Sequence, residues 1–195
     1  MEQSFLDEGI FAENDNFILS KYKDSEQELF YKAWNETFEN SPVLTDINFK
    51  EKSWEDVLTG KSKLQLKIID TISQEYIGEV VLLNIDSEMP EFGIQLLRKY
   101  QGKGIGTMIT KLFLDKLKSV TQVKEILIRI RSNNEISKKM FEKFGIVKIG
   151  EEGKKCAELM ASLLDDIGKD KFENIVGKSF ASTQVYTICY KLPLE

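Results

Sequence analysis

The sequence of 195 residues has no histidine, only two cysteines and three prolines. Without histidine, a Ser–His or Cys–His catalytic pair is excluded, and so are the usual imidazole zinc sites. Cys156 and Cys189 are too few for a disulfide framework and lack metal-ligand spacing, so we expect two unreactive thiols. The sequence also lacks an apolar run of the roughly 18 residues that a membrane-spanning helix needs.

An excess of positive charge is missing as well. Lysine and arginine number 27 against 32 acidic residues, which gives a net charge of -5 and argues against a nucleic-acid-binding protein. The first 15 residues, MEQSFLDEGIFAEND, are acidic and contain no apolar segment, so a signal peptide is not expected. These absences predict a cytoplasmic protein that binds neither nucleic acid nor membrane.

What is present suits a globular protein, since hydrophobic residues make up 42% of the chain. Alternating or β-branched runs predict strands at Asn16–Tyr22, Leu64–Ile68, Tyr76–Ile85, Phe92–Leu97, Val123–Arg131 and Gln184–Leu192. The predicted order is strand, helices, three strands, helix, strand, helix, strand, strand. This order indicates a mixed α/β fold with antiparallel hairpins first, one of them turning near Thr71–Gln74, and a crossover afterwards.

Helical periodicity accounts for the other segments. A first helix opens at Asp24–Glu28, with Ser25 and Glu28 at capping-box spacing, and closes near Pro42, and a short helix at Trp54–Leu58 stops at Gly60. A long helix then has an apolar face formed by Ile105, Met108, Ile109, Leu112, Phe113, Leu117 and Val120. The next helix is predicted from Asn134 to Phe144, with Gly145 as its C-cap. Its inward-facing residues are expected to be Ile136, Met140, Phe141 and Phe144.

A further amphipathic helix is predicted between residues 150 and 168, before the last strand. It ends near Gly168, and its apolar stripe comprises Cys156, Ala157, Leu159, Met160, Leu163, Leu164 and Ile167. The helix is expected to pack on a sheet edge, or to form a wall of a substrate pocket or a dimer contact.

The segment Gln101–Thr107 (QGKGIGT) is rich in glycine and lies between a predicted strand and a predicted helix. Glycine allows close approach of a ligand to the backbone, and the first N–H groups of a helix attract anions, so the segment suits a phosphate or diphosphate. A tight turn with a helix start is the simpler interpretation. The spacing is not G-x-G-x-x-G and no G-K-[ST] is present, which disfavours a dinucleotide site or a P-loop.

Two segments together resemble one family. Gln101–Gly106 resembles the Q/R-x-x-G-x-G/A signature, and Asn134–Gly145 resembles the N-x-x-A-x-x-L-Y-x-x-x-G-F segment, of the GCN5-related N-acetyltransferase (GNAT) superfamily. The resemblance implies one acetyltransferase domain over residues 1–195, with the family core at 16–150 and 183–192 and a helical insert at 151–182. It implies a central mixed, mostly antiparallel twisted sheet with helices on both faces.

The resemblance also implies acetyl-CoA as cosubstrate and no metal. The residues that would contact acetyl-CoA lie on the fourth strand, the glycine loop and the later helix; they are Ile94, Gln95, Leu96, Leu97, Gln101, Gly102, Lys103, Gly104, Ile105, Gly106, Thr107, Asn134, Ser137 and Phe141. For Asn134 a helix N-cap is an alternative role that is compatible with contact to the CoA arm. Lys103 is alternatively a solvated loop lysine.

The implied reaction is direct attack of a primary amine on the thioester, with a backbone N–H near Leu96–Leu97 stabilising the oxyanion. Glu91 is the first candidate for the general base and Glu79 the second, although each is alternatively a surface glutamate. Phe141 departs from the family pattern, because many members have a tyrosine there that protonates the leaving thiolate.

The resemblance leaves the acceptor and the assembly open. The acceptor is a small-molecule amine or a protein N-terminus, and the protein is a monomer or a homodimer. A non-catalytic acyl-CoA sensor or assembly module is the alternative function, and a nucleotide-binding module is a third.

Overall fold

The structure, a computed structural model, describes residues 9–37, 46–168 and 185–194. These residues contain eight strands and five α-helices, which confirms the predicted α/β class. In chain order the elements are β1 (Ile10–Glu13), β2 (Phe17–Lys21), α1 (Gln27–Thr37), α2 (Ile47–Thr59), β3 (Lys63–Asp70), β4 (Tyr76–Leu83), β5 (Glu91–Leu96), α3 (Ile105–Val120), β6 (Glu125–Arg131), α4 (Glu135–Glu142), β7 (Val147–Glu152), α5 (Lys154–Ile167) and β8 (Thr187–Pro193).

The described residues form two compact units, one within residues 1–126 and 193–195 and the other within residues 127–192. In the first unit, strands β1 to β5 are neighbours in chain order and each adjacent pair is antiparallel. No described helix is both long enough and apolar enough to cross a bilayer.

The hairpin between β3 and β4 turns at the predicted position. Asp70 Oδ1 accepts hydrogen bonds from the backbone N–H groups of Ile72 at 3.0 Å and Ser73 at 2.8 Å. Gln74 then takes a left-handed conformation, with a φ of 56°. The Asp70 side chain therefore stabilises the turn, as short polar side chains often do by bonding to nearby backbone N–H groups.

One face of the part of the sheet formed by β1 to β5 is apolar and packs against α3. Phe113 of α3 contacts Phe92 of β5 and Phe11 of β1, with ring centroids 4.8 and 5.1 Å apart. The buried residues of α3 are Ile109, Thr110, Phe113, Leu114 and Leu117. The prediction that Met108 belongs to the buried face is wrong, because 46% of it is exposed.

On the opposite face of the sheet, a row of polar residues crosses the strands β2 to β5. Their register places them side by side, and we call them the polar row: Ser20, Lys67, Glu79 and Gln95. Lys67 pairs with Glu26 in the turn before α1, and Gln95 Nε2 donates to the carbonyl of Ala33 in α1. Buried polar side chains are tolerated there because they find hydrogen-bond partners.

Helices α1 and α2 cover this second face together with a buried cluster, which comprises Tyr22, Phe30, Ala33, Trp54, Tyr76 and Leu97. The Tyr22 ring lies edge-on to Trp54 at a centroid distance of 5.8 Å. The short helix predicted at Trp54–Leu58 is longer, because Asp46 caps it by accepting the N–H of Phe49 at 3.2 Å. Gly60 ends it as predicted.

Strand β4 has one residue more than β3 at their shared end. Ile68 lies opposite Gly78 and Ile69 lies opposite Tyr76, so Ile77 has no counterpart on β3. Such a β-bulge re-aims the side chains that precede it. Here it turns Tyr76 toward the face that carries the polar row.

Gly78, next to this bulge, has a φ of 153°, which an L side chain rarely adopts. A Cβ atom there would lie 2.2 Å from the carbonyl oxygen of Gln95. Glycine is therefore required for β4 and β5 to approach closely where Gly78 faces Leu96.

In the second unit the strand order is β6-β8-β7, and β7 and β8 are antiparallel. The backbone carbonyl oxygen of Tyr186 accepts a hydrogen bond from the N–H of Ser132 at 2.8 Å. Arg129 of β6 forms an ion pair with Glu152 of β7 at 3.2 Å. Helix α4 is followed by Gly145 with a φ of 77°, as predicted. The predicted helix before the last strand is confirmed as α5, which Gly168 follows.

Several local predictions are wrong. Strand β1 is not among the predicted strands, and the capping interaction before α1 is made by Glu26, which accepts the N–H of Lys23 at 2.7 Å, instead of the Ser25–Glu28 pair. Ile136 and Leu159 were expected on buried faces but are 69% and 66% exposed, and Cys156 is exposed as well. The predicted helix end at Pro42 and the side chains of Leu163, Leu164 and Ile167 lie outside the described residues.

Candidate active site

The glycine loop connects the end of β5 to the start of α3, as the sequence predicted. Gly102 and Gly104 have φ values of 71° and 80°, and no atom lies within 4 Å of where a side chain would begin at either residue. The N–H groups of Thr107 and Met108 both donate to Gly104 O, at 3.1 and 3.3 Å. The N–H groups of Ile105 and Gly106 precede these first helical bonds, so this end of α3 offers donors and positive partial charge to an anion.

Two carboxylates hold the 3-10 turn at Arg98–Tyr100, which leads into the loop. Glu36 of α1 accepts the Arg98 backbone N–H at 2.7 Å. Glu75 accepts the Lys99 ammonium at 2.8 Å and the Tyr100 hydroxyl, and these two bonds lower the pKa of Glu75. Glu36 of α1 and Glu75, which directly precedes β4, therefore hold in place the turn that leads into the glycine loop.

Gln101, the first residue of the glycine signature, turns its side chain back toward β5. Its Nε2 donates to the carbonyl oxygen of Leu96 at 2.7 Å. In this structure the Gln101 amide therefore ties the loop to the strand end, while Lys103 is an exposed loop residue.

The hydrogen bonds of β5 alternate between its two sides. The Leu97 N–H donates to Ile77 O at 3.0 Å, so it is already bonded to the β4 chain. Because successive peptide groups of a strand point in opposite directions, those of Ile94 and Leu96 point away from β4. Of the two N–H groups expected to stabilise an oxyanion, that of Leu96 is the one not used by β4.

Glu79, in the middle of the polar row, is 5% exposed. Its Oε2 accepts hydrogen bonds from the Tyr22 hydroxyl at 2.8 Å and from Gln65 Nε2 at 3.0 Å, and the Trp34 side chain is a further donor. Burial raises the pKa of Glu79, and these donors oppose the rise only in part. A carboxylate with a raised pKa is suited to accept a proton near neutral pH.

Glu91, the other candidate base, lies at the opposite end of β5 from Leu96. Five residue steps of an extended strand separate them by about 17 Å. Glu79 is much nearer, since it lies opposite Gln95 in the register of β4 and β5. The structure therefore brings Glu79, and not Glu91, close to the strand end that precedes the glycine loop.

The remaining predicted contacts lie in α4 of the second unit. Asn134 caps this helix, because its Oδ1 accepts the Ser137 N–H at 3.0 Å. Phe141 is 4% exposed and is the buried residue of the helix. The capping role leaves the amide NH₂ group of Asn134 outside this bond, whereas Phe141 offers no hydroxyl.

Sequence reasoning missed Tyr22, Tyr76 and Gln65. The Tyr22 and Tyr76 hydroxyl oxygens are 3.1 Å apart, and Tyr22 also donates to Glu79. Strand parity places Gln65 on the same face of β3 as Lys67, which lies opposite Glu79. Gly78 is a sequence signal for an irregularity in β4, but it does not specify that Tyr76 is redirected. Among the described residues, no group of three or more His, Cys, Asp or Glu side chains could hold a metal ion.

A known protein-family profile and several solved structures are similar to this chain. The profile described as acetyltransferase (GNAT) domain matches residues 14–147. No curated protein has a matching sequence.

Several solved structures have a similar fold. A chimera of the spermidine N-acetyltransferase SpeG from Vibrio cholerae and hSSAT is 13% identical with a TM-score of 0.68, over 92% of this chain and 96% of that chain. Mutant forms of the spermidine/spermine N-acetyltransferase SpeG from Vibrio cholerae are 14% identical with a TM-score of 0.66, over 93% and 95%. A domain from Methanocaldococcus jannaschii is 18% identical with a TM-score of 0.64, over 91% and 97%.

Proposed function

This chain belongs to the GNAT acetyltransferase family, and from that premise we propose that it transfers the acetyl group of acetyl-CoA to a primary amine. The observation that carries the proposal is the strand–loop–helix unit formed by β5, Gln101–Gly106 and α3. Its two left-handed glycines and the unused N–H groups at the start of α3 suit the diphosphate of CoA. The peptide groups of Ile94 and Leu96, which point away from β4, suit the amide-containing arm and the thioester carbonyl.

In this proposal the chain's own residues divide the work. The backbone from Ile94 to Leu97 and the loop from Gln101 to Thr107 bind acetyl-CoA. The Leu96 N–H stabilises the oxyanion that forms when the amine attacks the thioester. Glu79 accepts the proton that the ammonium must lose, since its pKa is raised by burial and it lies near the end of β5.

The acceptor class is tested directly. The structural neighbours from Vibrio cholerae are spermidine N-acetyltransferases, so polyamines belong in the acceptor panel beside monoamines, aminoglycosides and peptide N-termini. Thiol release from acetyl-CoA is measured across the panel, and the product is identified by mass spectrometry. We expect turnover with at least one amine; tight acetyl-CoA binding with no acetylated product from any amine would favour the non-catalytic sensor.

Substitutions at Gly104 test the binding site itself. Asparagine and aspartate both tolerate a left-handed φ and both can cap α3, so Gly104→Asn and Gly104→Asp differ mainly in charge. We expect Gly104→Asp to bind acetyl-CoA roughly tenfold more weakly than Gly104→Asn, because its carboxylate repels the diphosphate. Calorimetric titration checks this, and equal affinities for the two folded variants would contradict a diphosphate at this loop.

A further inference from the structure

Three buried side chains on the face covered by α1 form a continuous chain of hydrogen bonds. Tyr76 OH lies 3.1 Å from Tyr22 OH, and Tyr22 OH donates to Glu79 Oε2 at 2.8 Å. Tyr76 begins β4, Tyr22 directly follows β2, and Glu79 lies in the middle of β4. A packed core needs no such chain, since apolar residues of similar volume fill the same space without buried polar atoms.

One end of this chain lies beside the strand end at which acetyl transfer is proposed. Tyr76 belongs to the same buried cluster as Leu97, whose N–H bonds to the residue after Tyr76. Burial is the main cause that raises the pKa of the Tyr76 hydroxyl, and the charges of Glu79 and of Glu36, which holds the Arg98 N–H, add to it. The β-bulge at Ile77 is what turns Tyr76 to this side, and bulges of this kind are frequent next to active sites.

We infer that Tyr76 and Tyr22 form a proton relay that carries a proton from the acceptor ammonium to Glu79. This inference rests on the proposed function. The ammonium gives one proton to the Tyr76 oxygen, Tyr76 passes its own proton to Tyr22, and Tyr22 passes its proton to Glu79. Both tyrosines end neutral, Glu79 becomes a carboxylic acid, and the nitrogen gains the lone pair needed for attack.

The later steps balance without another protein acid. The amine nitrogen forms a bond to the thioester carbon, and the C–S bond breaks when the tetrahedral intermediate collapses. The second proton lost by the nitrogen neutralises the CoA thiolate. The relay therefore deprotonates the acceptor. It does not take over the role of the family tyrosine, which protonates the leaving thiolate and is replaced here by Phe141.

The electrostatic surroundings agree with Glu79 as the terminal acceptor. Lys63 of β3 acts on the Glu79 carboxylate from a distance and is itself paired with Asp56 of α2. Lys67, directly opposite Glu79 in register, is paired with Glu26. Both lysines on β3 are thus engaged by other carboxylates. Glu79 accepts hydrogen bonds from neutral donors, namely Tyr22, Gln65 and the Trp34 side chain.

The experiment compares two acceptors that differ in whether they need a base. One is the alkylamine that the wild-type protein acetylates, and the other is an alkoxyamine of the same length, whose nitrogen is already neutral at pH 7. Tyr22→Phe, Tyr76→Phe and Glu79→Gln are each assayed with both acceptors. Tyr31→Phe is the matched control, since this tyrosine also packs against the cluster but donates to Lys50 O at 2.8 Å.

We expect each relay variant to lower kcat/KM for the alkylamine by roughly 10² at pH 7, and to change it less than about threefold for the alkoxyamine. Tyr31→Phe leaves both values near those of the wild type. Acetyl-CoA affinity stays unchanged in all four variants.

Two results overturn the relay. Equal losses with both acceptors would assign the three residues to the structure of the site, and no loss in folded Tyr22→Phe and Tyr76→Phe would remove them from proton transfer. The proposed function fails separately: a wild-type protein that acetylates no amine while binding acetyl-CoA would overturn it, and the relay with it.

Discussion

At the scale of single residues, Thr110 is the one described side chain that is buried without a hydrogen-bond partner for its oxygen. It lies on the apolar face of α3 and is fully buried. An unsatisfied buried hydroxyl costs free energy, because water no longer solvates it. The unsatisfied Thr110 hydroxyl therefore destabilises helix α3, the helix that follows the glycine loop.

We predict that Thr110→Val raises the free energy of unfolding by about 1 kcal/mol, since valine has the same shape and no hydroxyl. Thr121→Val is the matched control, and we expect it to change the free energy of unfolding in the opposite direction. Thr121 Oγ1 donates to Leu117 O at 2.9 Å at the end of the same helix, so its loss should destabilise the protein. Urea denaturation measures both, and a destabilising Thr110→Val would contradict the prediction.

Glu79 also gives a prediction about stability and pH. Its pKa in the folded protein is raised above the usual 4.5, so the folded state holds this proton more tightly than the unfolded state. The stabilising contribution is therefore complete below pH 4.5 and is lost as the pH rises through the folded-state pKa. Glutamine at this position does not titrate.

We expect the stability of Glu79→Gln, relative to the wild type, to increase as the pH rises above 4.5. Urea denaturation at several pH values between about 4 and 8 measures this difference. A difference that is constant over this range would show that Glu79 titrates alike in the folded and unfolded protein.

At the scale of elements, the shared end of β4 and β5 depends on the bulge at Ile77 and on Gly78. The bulge presents Tyr76 to the polar row, and the glycine lets β5 approach β4 opposite Leu96. Gln101 then ties Leu96 O to the glycine loop. The geometry of the proposed acetyl-transfer point thus comes from backbone features of two strands.

We predict that Gly78→Ala costs about 2 kcal/mol or more of unfolding free energy, because a side chain at a φ of 153° is strained and its Cβ meets Gln95 O. Gly150→Ala on β7 is the control, since no atom lies within 4 Å of its added Cβ. Thermal denaturation compares the two variants. A Gly78→Ala protein as stable as Gly150→Ala would show that β4 and β5 can separate without cost.

At the scale of the whole molecule, the binding of acetyl-CoA is expected to stabilise the fold. A ligand that binds only the folded state at 100 times its Kd adds about 2.7 kcal/mol to the unfolding free energy. We predict an increase in Tm with acetyl-CoA and with CoA, and none with an equal concentration of ATP. A Tm that rises with ATP but not with CoA would support a nucleotide-binding module.

The sequence by itself determined the class of fold and the order of most elements. Strand alternation, helix periodicity and the glycines at 60, 145 and 168 depend on neighbours close in the chain, so these were predictable from the sequence. The two family-like segments, Gln101–Gly106 and Asn134–Gly145, likewise indicated the GNAT family that the comparison with known proteins then showed.

Only the tertiary structure decided which side chains meet. The alternation of hydrogen bonds along β5 distinguishes Leu96 from Leu97, and the register of β4 brings Glu79 near the strand end while leaving Glu91 about 17 Å away. The Tyr76–Tyr22–Glu79 chain joins residues up to 57 positions apart, and it exists because one extra residue in β4 reverses the direction of Tyr76. Such contacts depend on strand register and bulges, which are set by pairing across the sheet and not by the local sequence.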